Sequence, residues 1–510
     1  MSDDGCSDPS VVEWRDEKLI MMTACDDGRR RVYESGVKGE SWTEALGTLS
    51  RVWGNPTGGT VGDVRSGFIT ATIDVEEDDK RNVMLVTLPV YSKEKEDEDN
   101  GKGRLHLWLT DNTHIVDIGP VSEKNEDEVT ASSLLYKSGN NDEKLIALYE
   151  KKKNGNEETQ SLGMVSVRLT AQLQRVKEVL ATWKEADERV SRLCTTLLAQ
   201  VVTLPENACS TVKLTDGLVG FLSGSFSGNT WRDEYLGVNA TVNATVKKGT
   251  KEVATGAALH AGGVKFQGTW AEWPVGRQGQ NQLYHFANYN FTLVATVSIH
   301  NAPKSGGVPL MGVRLEGEDK PKLMELSYDS QKRWRVLCGG GKTNKLKRTW
   351  DPQTKYQVAI VLQNGTQGTA YVDGQRVCGS VHRELDTTKT REISHFYIGG
   401  DGGSADSTGS QEGVSVTVAN VLLYNRPLTF PGGDADVEKD VASPPGAVSR
   451  TVARDQMTTE GTPATTQQAP TAPGPHAVRK ATGDGGTNCG SGLLPSLLLL
   501  LLGLWGFAAL

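Results

Sequence analysis

The fold is indicated most directly by one stretch near the end of the folded part of the chain, VTVANVLLYNR, which occupies residues 416–426. Its valines alternate with polar residues, and a period of two is typical of a β-strand that has one face toward a core. From these residues alone we expect an outer strand of a two-sheet sandwich. Its valines would point inward and its polar side chains outward.

The sequence upstream of this strand supports the same architecture over residues 201–430. Ala370 to Val377 places Asp373-Gly374 between two alternating arms, which is the strongest short signal for a β-hairpin. His395 to Gly400 has the composition of a further strand. We therefore predict a lectin-like β-sandwich here, of the laminin-G or jelly-roll kind.

The period changes from two to that of a helix in residues 169–200. Apolar residues recur on one helical face between Thr170 and Cys194, with charged residues of both signs elsewhere. These apolar residues are Leu173, Val176, Leu180, Trp183, Val190 and Leu193. We predict a connecting helix that packs between two β domains.

Residues 1–168 show short strand patterns again, separated by Gly, Asn and Asp turns. Examples are Lys18 to Met22, Asn82 to Tyr91, Arg104 to Leu109 and Lys144 to Tyr149. Short strands at this spacing predict stacked antiparallel blades or a second sandwich. The fold class expected for the chain is therefore all-β with one connecting α-helix.

The C-terminal part is predicted to be a stalk followed by an attachment signal. Residues 431–483 are rich in Pro, Thr and Ala and poor in aromatic residues, so they cannot bury a core and are expected to be disordered. In residues 484–510, small residues precede an uncharged apolar tail, as in a GPI signal. Asp484 is the preferred attachment residue and Asn488 the alternative. A tail-anchored helix is the other interpretation of the tail.

Composition excludes some classes of partner. The chain has 55 basic and 63 acidic side chains and no Lys/Arg stripe, so nucleic acid is not expected to bind. The eight histidines lack metal-ligand spacing, and no cofactor is predicted.

Cysteines and sequons are typical of an exported protein. Six of the seven cysteines can pair as Cys6 with Cys25, Cys194 with Cys209, and Cys338 with Cys378. Glycosylation sequons begin at Asn239, Asn243, Asn290 and Asn364. We expect a GPI-anchored protein at the cell surface. The residues after Met1 do not resemble a secretory signal peptide, which conflicts with that expectation.

The strand at residues 416–426 is similar to the VTVxNVxLYNR signature of the trypanosome trans-sialidase superfamily. The matching residues are Val416, Thr417, Val418, Asn420, Val421, Leu423, Tyr424, Asn425 and Arg426. Asp26 to Trp53 and Arg104 to Asn112 resemble the family too. The resemblance implies a sialidase β-propeller, of which only the second half lies before Thr170, then a long helix and a lectin-like sandwich.

The resemblance also implies where catalytic residues should stand. Ala131, in ASSLLYK, occupies the position of the tyrosine nucleophile, and Asp8 that of its carboxylate partner. Ala24 and Lys102 fall at positions of arginines that clamp the substrate carboxylate, and Asn100 falls at that of a tryptophan that stacks on the sugar. Glu150 matches a second acidic residue, and a solvated surface carboxylate is its alternative interpretation.

Because a methyl group cannot act as a nucleophile, the resemblance predicts a surface glycoprotein that is not an enzyme. Such a protein would adhere to host-cell or matrix glycoproteins, or to glycans, or serve as a surface antigen with a role in virulence. Two alternatives remain open: an active exo-α-sialidase or trans-sialidase, and a non-functional truncated gene product.

Overall fold

The chain divides into two units, Met1–Lys439 and Asp440–Leu510. The computed structural model describes part of the first unit. The described residues are 5–36, 38–55, 65–76, 79–91, 103–121, 129–139, 143–152, 162–193, 214–244, 256–276, 281–338, 343–377, 392–402, 414–428, 430 and 437–438. The predicted stalk and GPI signal, with Asp484 and Asn488, therefore lie almost wholly outside the described residues.

Three small antiparallel sheets precede the helix, as expected of propeller blades. The first contains β1 (Cys6–Glu13), β2 (Leu19–Cys25), β3 (Arg30–Ser35) and β4 (Thr43–Glu44). The second contains β5 (Phe68–Glu76), β6 (Asp79–Tyr91), β7 (Gly103–Thr110) and β8 (Ile115–Pro120). The third contains β9 (Val129–Lys137), β10 (Lys144–Lys152) and β11 (Leu162–Arg168). Each sheet is a simple up-and-down meander, so neighbours in sequence are neighbours in space.

The predicted helix is present as α1 (Thr170–Arg192). Its buried residues are Leu173, Val176, Val179, Leu180, Trp183, Ala186 and Val190. These lie in one apolar cluster with residues of the second and third blades and of the sandwich. The helix therefore joins the two β regions through a shared core, as its periodicity predicted.

The rest of the first unit is one connected antiparallel sheet network that forms the sandwich. Its strands are β12 (Leu218–Ser227), β13 (Thr230–Asp233), β14 (Ala240–Ala244), β15 (Ala258–His260), β16 (Gly263–Phe266), β17 (Thr269–Pro274), β18 (Phe291–Ile299), β19 (Gly307–Leu315), β20 (Lys322–Asp329), β21 (Arg333–Cys338), β22 (Thr343–Thr349), β23 (Lys355–Gln363), β24 (Gln367–Val372), β25 (Gln375–Arg376), β26 (Ile393–Ile398), β27 (Val416–Tyr424) and β28 (Val437–Glu438). Short 3-10 helices span Arg15–Glu17 and His285–Asn288. The all-β fold class with one connecting helix is confirmed.

The predicted hairpin forms as expected. Val372 pairs with Gln375, so Asp373 and Gly374 are the two turn residues. Both have positive φ, 46° and 75°, which suits a type I′ turn and explains the Asp-Gly sequence. No helix among the described residues is both long and apolar enough to cross a membrane.

The strand at residues 416–426 is not an outer strand, contrary to the prediction. β27 pairs with β12, β16 and β18, and it is buried on both faces. Val418 and Leu423 face the sandwich core, whereas Leu422 and Tyr424 face the cluster around α1. The alternating pattern predicted an outward face exposed to solvent. Part of that face is instead covered by the cluster around α1, which the local sequence does not reveal.

The predicted disulfide between Cys6 and Cys25 is present and links β1 to β2. We expect the double variant Cys6→Ser, Cys25→Ser to lose about 3 kcal/mol of unfolding free energy, because closing a short loop restricts the unfolded chain. Urea unfolding of the oxidised protein and of the variant measures this loss. A loss below about 1 kcal/mol would contradict the prediction.

Candidate functional site

Asp8 lies at an irregular point of the first blade. The pairing of β1 with β2 shifts register between Ser7 and Ser10, and Asp8 adopts a left-handed φ of 51°. Its carboxylate accepts a hydrogen bond from Ser7 Oγ at 3.0 Å and one from Arg65 Nε at 2.9 Å. The disulfide that links Cys6 to Cys25 holds this irregular segment against β2.

Arg65 connects the first blade to the third. Its backbone forms a parallel bridge with Ala131, and its carbonyl accepts a hydrogen bond from Ser132 N–H at 2.9 Å. Ser132 Oγ lies 2.9 Å from Thr87 Oγ1. These buried contacts fix the Arg65 backbone, while 45% of its side chain is exposed to solvent.

A second guanidinium group, that of Arg30, lies in the same region. Arg30 pairs with Ala24 across β2 and β3 and is only 3% exposed. Burial lowers the pKa of Arg30 to about 10, while the charges of Tyr91 and Asp8 act in the opposite direction. Arg30 therefore stays protonated at neutral pH and places a buried positive charge beside the Asp8–Arg65 ion pair.

The other positions implied by the resemblance are distributed as follows. Ala131 and Glu150 are direct partners across β9 and β10, so their side chains are on the same face. Ala24 is 1% exposed, so its methyl group is part of the interior. Asn100 and Lys102 lie outside the described residues.

The sequence prediction missed Arg30 and Arg65. The triplet Arg29-Arg30-Arg31 lies within the segment Asp26 to Trp53 that resembles the family, and nothing in it distinguishes the middle arginine. Strand alternation is the signal that could have done so, because the three arginines cannot all share one face. Arg65 stands just before β5, and only the bridge to Ala131, 66 residues along the chain, brings it to this site.

The remaining predicted residues are only partly described. Asn239 and Asn364 are exposed, and Asn243 and Asn290 are half-buried. Cys194, Cys209 and Cys378 lie outside the described residues, as does the side chain of Cys338. Among the described residues, no cluster of His, Cys, Asp and Glu suited to a metal ion occurs.

The predicted binding motif is largely inaccessible. Val416, Val418 and residues 421–424 are at most 3% exposed, so a partner cannot contact these side chains in the folded protein, whereas Thr417 is 7% exposed and lines a surface groove with Asn420. Asn425 and Arg426 are half-buried, and Arg426 forms an ion pair with Asp216 at 3.1 Å. The motif is a structural element at the junction of two cores.

Comparison with known families matches three parts of the chain. Residues 1–150 match the BNR repeat-like domain, and residues 214–430 match the trans-sialidase C-terminal domain. Residues 485–510 match the hydrophobic C-terminal segment of Trypanosoma trans-sialidases.

Several Trypanosoma cruzi proteins are similar to this chain. A sialidase is 36% identical over 427 residues, covering 83% of this chain and 33% of the relative. Sialidase 85-1.1 is 33% identical, covering 99% of this chain and 61% of the relative. Sialidase 85-1.3 is 36% identical over 186 residues, which are 36% of this chain and 99% of the relative. The chain thus spans less than two thirds of the first two relatives.

Solved structures of Trypanosoma rangeli sialidase are also similar. The complex with sialic acid superposes with a TM-score of 0.68 at 40% identity, covering 83% of this chain and 61% of the sialidase. A mutant of that sialidase displaying trans-sialidase activity gives the same TM-score and identity.

These matches contradict the prediction that the chain is not an enzyme, because the relatives are sialidases and the described residues do not show a loss of activity. The prediction rested mainly on Ala131 and did not consider the two guanidinium groups beside Asp8. The domain matches, the identity to sialidases and the shared fold agree with one another, and the chain therefore belongs to the trypanosome trans-sialidase superfamily.

Proposed function

We propose that the chain acts on terminal sialic acid as an exo-α-sialidase or trans-sialidase at the cell surface. The observation that carries this proposal is the cluster of Arg30, Arg65 and Asp8 where the first and third blades meet. The similarity to a sialidase bound to sialic acid supports the same substrate class. The match of residues 485–510 to the family's hydrophobic C-terminal segment supports GPI anchoring.

The chemistry of the substrate explains the choice of residues. Sialic acid carries a carboxylate at its anomeric carbon, and a planar guanidinium binds a carboxylate through two parallel hydrogen bonds. The Arg65 side chain is accessible to such a ligand. Asp8 orients the guanidinium by accepting a hydrogen bond from Arg65 Nε. The buried charge of Arg30 adds a positive field that water screens poorly.

Ala131 has no nucleophilic atom, so a phenol for a retaining reaction has to come from elsewhere. Tyr91, at the end of β6, is half-buried and close enough to Arg30 to interact with it electrostatically. We assign Tyr91 as the candidate phenol of this site. Sialylated glycoproteins of host cells and the surrounding matrix are then the expected partners.

The test is release of fluorophore from a 4-methylumbelliferyl sialoside by the full-length chain, with transfer to lactose measured in parallel. We expect Arg65→Ala to lower release about tenfold or more, because a charged hydrogen bond to substrate is worth roughly 1.5–3 kcal/mol. Tyr91→Phe should abolish release if the phenol reacts.

Arg348→Ala is a matched control for Arg65→Ala. Arg348 is 44% exposed and pairs with Asp373 on the sandwich, so its loss should leave the rate unchanged. Neither release nor transfer above a mock preparation would overturn the proposal. Release of the chain from cells by phosphatidylinositol-specific phospholipase checks the anchor separately.

A further inference from the structure

One sheet of the sandwich presents two different surfaces on its outer side. The sheet orders its strands as β16, β27, β18 and β23. Over one half, outward residues such as Val294, Leu422 and Val361 pack into the cluster around α1. This cluster therefore covers that half of the sheet and leaves the other half open.

The open half is polar and basic. Lys265 pairs with Thr417, Thr417 with Ser298, and Ser298 with Lys355, so these four residues form one row across four strands. Because register partners point to the same face, both lysines and both hydroxyl groups share the outer side. The pairing of β18 with β27 is irregular between Val294 and Thr296, where the two halves meet.

A groove of about 520 Å³ lies over this row, within the size range of roughly 300–1,000 Å³ that is usual for small-ligand sites. His260 and His300 stand at one side of it with ring centroids 5.9 Å apart. Among the described residues that line the groove, none is Asp or Glu. Within the described part of the chain, no acidic lining residue therefore offsets the positive charges of Lys265 and Lys355.

Two buried side chains beside the row have unused hydrogen-bonding capacity. Thr296 and Gln357 are register partners in β18 and β23. Thr296 Oγ1 and both polar side-chain atoms of Gln357 are buried without a hydrogen-bond partner among the described residues. A buried polar atom without a hydrogen-bond partner destabilises the folded protein unless water or a ligand bonds to it.

The geometry points to a binding site for an acidic oligosaccharide in this groove, one that carries several carboxylate or sulfate groups. Lys265 and Lys355 are three strands apart, a backbone separation of about 14 Å at about 4.8 Å per strand. Two anionic groups on one sugar chain can reach both, whereas the hydroxyl groups of Thr417 and Ser298 between them suit sugar hydroxyl groups. This site is separate from the Arg30–Arg65 cluster and does not depend on the proposed sialidase activity.

The test is binding of a fluorescent heparin-derived hexasaccharide to the full-length chain in detergent, at 0.15 M salt. We expect Lys265→Ala with Lys355→Ala to weaken binding about tenfold or more, since two charge contacts are lost. Lys137→Ala with Lys347→Ala removes the same charge from exposed positions elsewhere and should change affinity less than about twofold.

A second readout uses pH. Burial lowers the pKa of His300, and the charges of Lys265 and His260 lower it further. Lys355 on β23 is the other basic residue that lines the groove, and His300 also contacts Thr417 Oγ1 at 2.8 Å. An anionic ligand favours the protonated imidazole, so affinity should rise as pH falls toward the lowered pKa of His300. His300→Gln should remove this rise.

Other ligands separate the outcomes. A desulfated hexasaccharide keeps its carboxylates. If it binds, the site recognises carboxylate groups; if it does not bind, the site recognises sulfate groups. Either result supports the site. Equal binding of hexaglutamate would overturn it in favour of an acidic peptide. Unchanged affinity in the double lysine variant, or no binding of either anionic saccharide by the folded protein, would also overturn it.

Discussion

The protein with Asp111 replaced by alanine is expected to unfold with a free energy about 3 kcal/mol below that of the parent chain, because the counterion of the buried His114 and the acceptor of two backbone N–H groups are lost. Asp111 accepts hydrogen bonds from the backbone N–H groups of Thr113 and His114, at 2.9 and 2.7 Å. Its second oxygen lies 3.1 Å from His114 Nδ1. The ring of His114 stacks on Tyr235 and lies 4.9 Å from Trp183.

This cluster joins three parts of the fold: the second blade, α1 and the sandwich. Loss of the carboxylate leaves a buried imidazole without its counterion at the joint. Urea unfolding followed by tryptophan fluorescence measures the change. Asp117→Ala is the matched control, because the His106–Asp117 pair is exposed and such pairs contribute about 1 kcal/mol or less. Equal losses in both variants would contradict the argument.

The same pair predicts a pH dependence of stability. Burial alone would lower the pKa of His114, but the charge and hydrogen bond of Asp111, with the charges of Asp187 and Asp233, raise it above its ordinary value. His114 therefore stabilises the fold below about pH 6.5, and this contribution is lost as pH rises through the raised pKa.

Asp111 titrates in the opposite sense. Burial acts to raise its pKa, but the charge and hydrogen bonds of His114 lower it to about 2. Its contribution is present above its ordinary value of 3.8 and is lost as pH falls through about 2. In the His114→Gln variant, the free energy of unfolding should no longer fall as pH rises through the raised pKa of His114. An unchanged profile in that variant would exclude His114 as the titrating group.

The second large effect is expected at Asp233 in the sandwich. This residue is 2% exposed and accepts hydrogen bonds from the backbone N–H groups of Phe221 and Gly237, at 2.8 and 3.0 Å, and from Tyr284 Oη at 3.0 Å. Asp233→Ala leaves these buried donors without an acceptor, each at a cost of roughly 1–3 kcal/mol. We expect a loss of about 4 kcal/mol or more, measured by urea unfolding.

Two variants make this prediction specific. Asp233→Asn keeps one oxygen acceptor and should lose less stability than Asp233→Ala. Asp216→Ala removes a carboxylate that is 67% exposed and paired with Arg426, and it should cost about 1 kcal/mol or less. If Asp233→Ala lowers the free energy of unfolding no more than Asp216→Ala does, the donors around residue 233 have other acceptors, which would contradict the prediction.

The elements that were predicted correctly are those whose evidence is local in sequence. The face of α1 repeats every three or four residues, and the Asp373-Gly374 turn depends on the positive φ that these two residues tolerate. The Cys6–Cys25 pair closes a short loop. In each case neighbouring residues carry the whole physical reason.

The wrong prediction for β27, that it is an outer strand, shows what local sequence patterns do not reveal. Its period of two indicates a strand with one buried face, yet Leu422 and Tyr424 on the other face are buried in the cluster that contains the apolar face of α1, more than 200 residues earlier. The same limit applies to Arg30 and Arg65, whose charges meet Asp8 only through strand register and one bridge between blades. The bridge between Arg65 and Ala131 brings residue 131 to the same region.

The sequence by itself therefore determined the order of blades, helix and sandwich, the family and the hairpin, because periodicity, turn chemistry and motif identity are properties of adjacent residues. It gave Cys6–Cys25 as a candidate disulfide, and the structure decided that connectivity. Only the tertiary structure decided which arginines surround Asp8, that the 416–426 strand is interior, and that half of one sheet remains open and basic. These depend on contacts between residues far apart in the chain, and no local pattern specifies which distant surface will cover a given face.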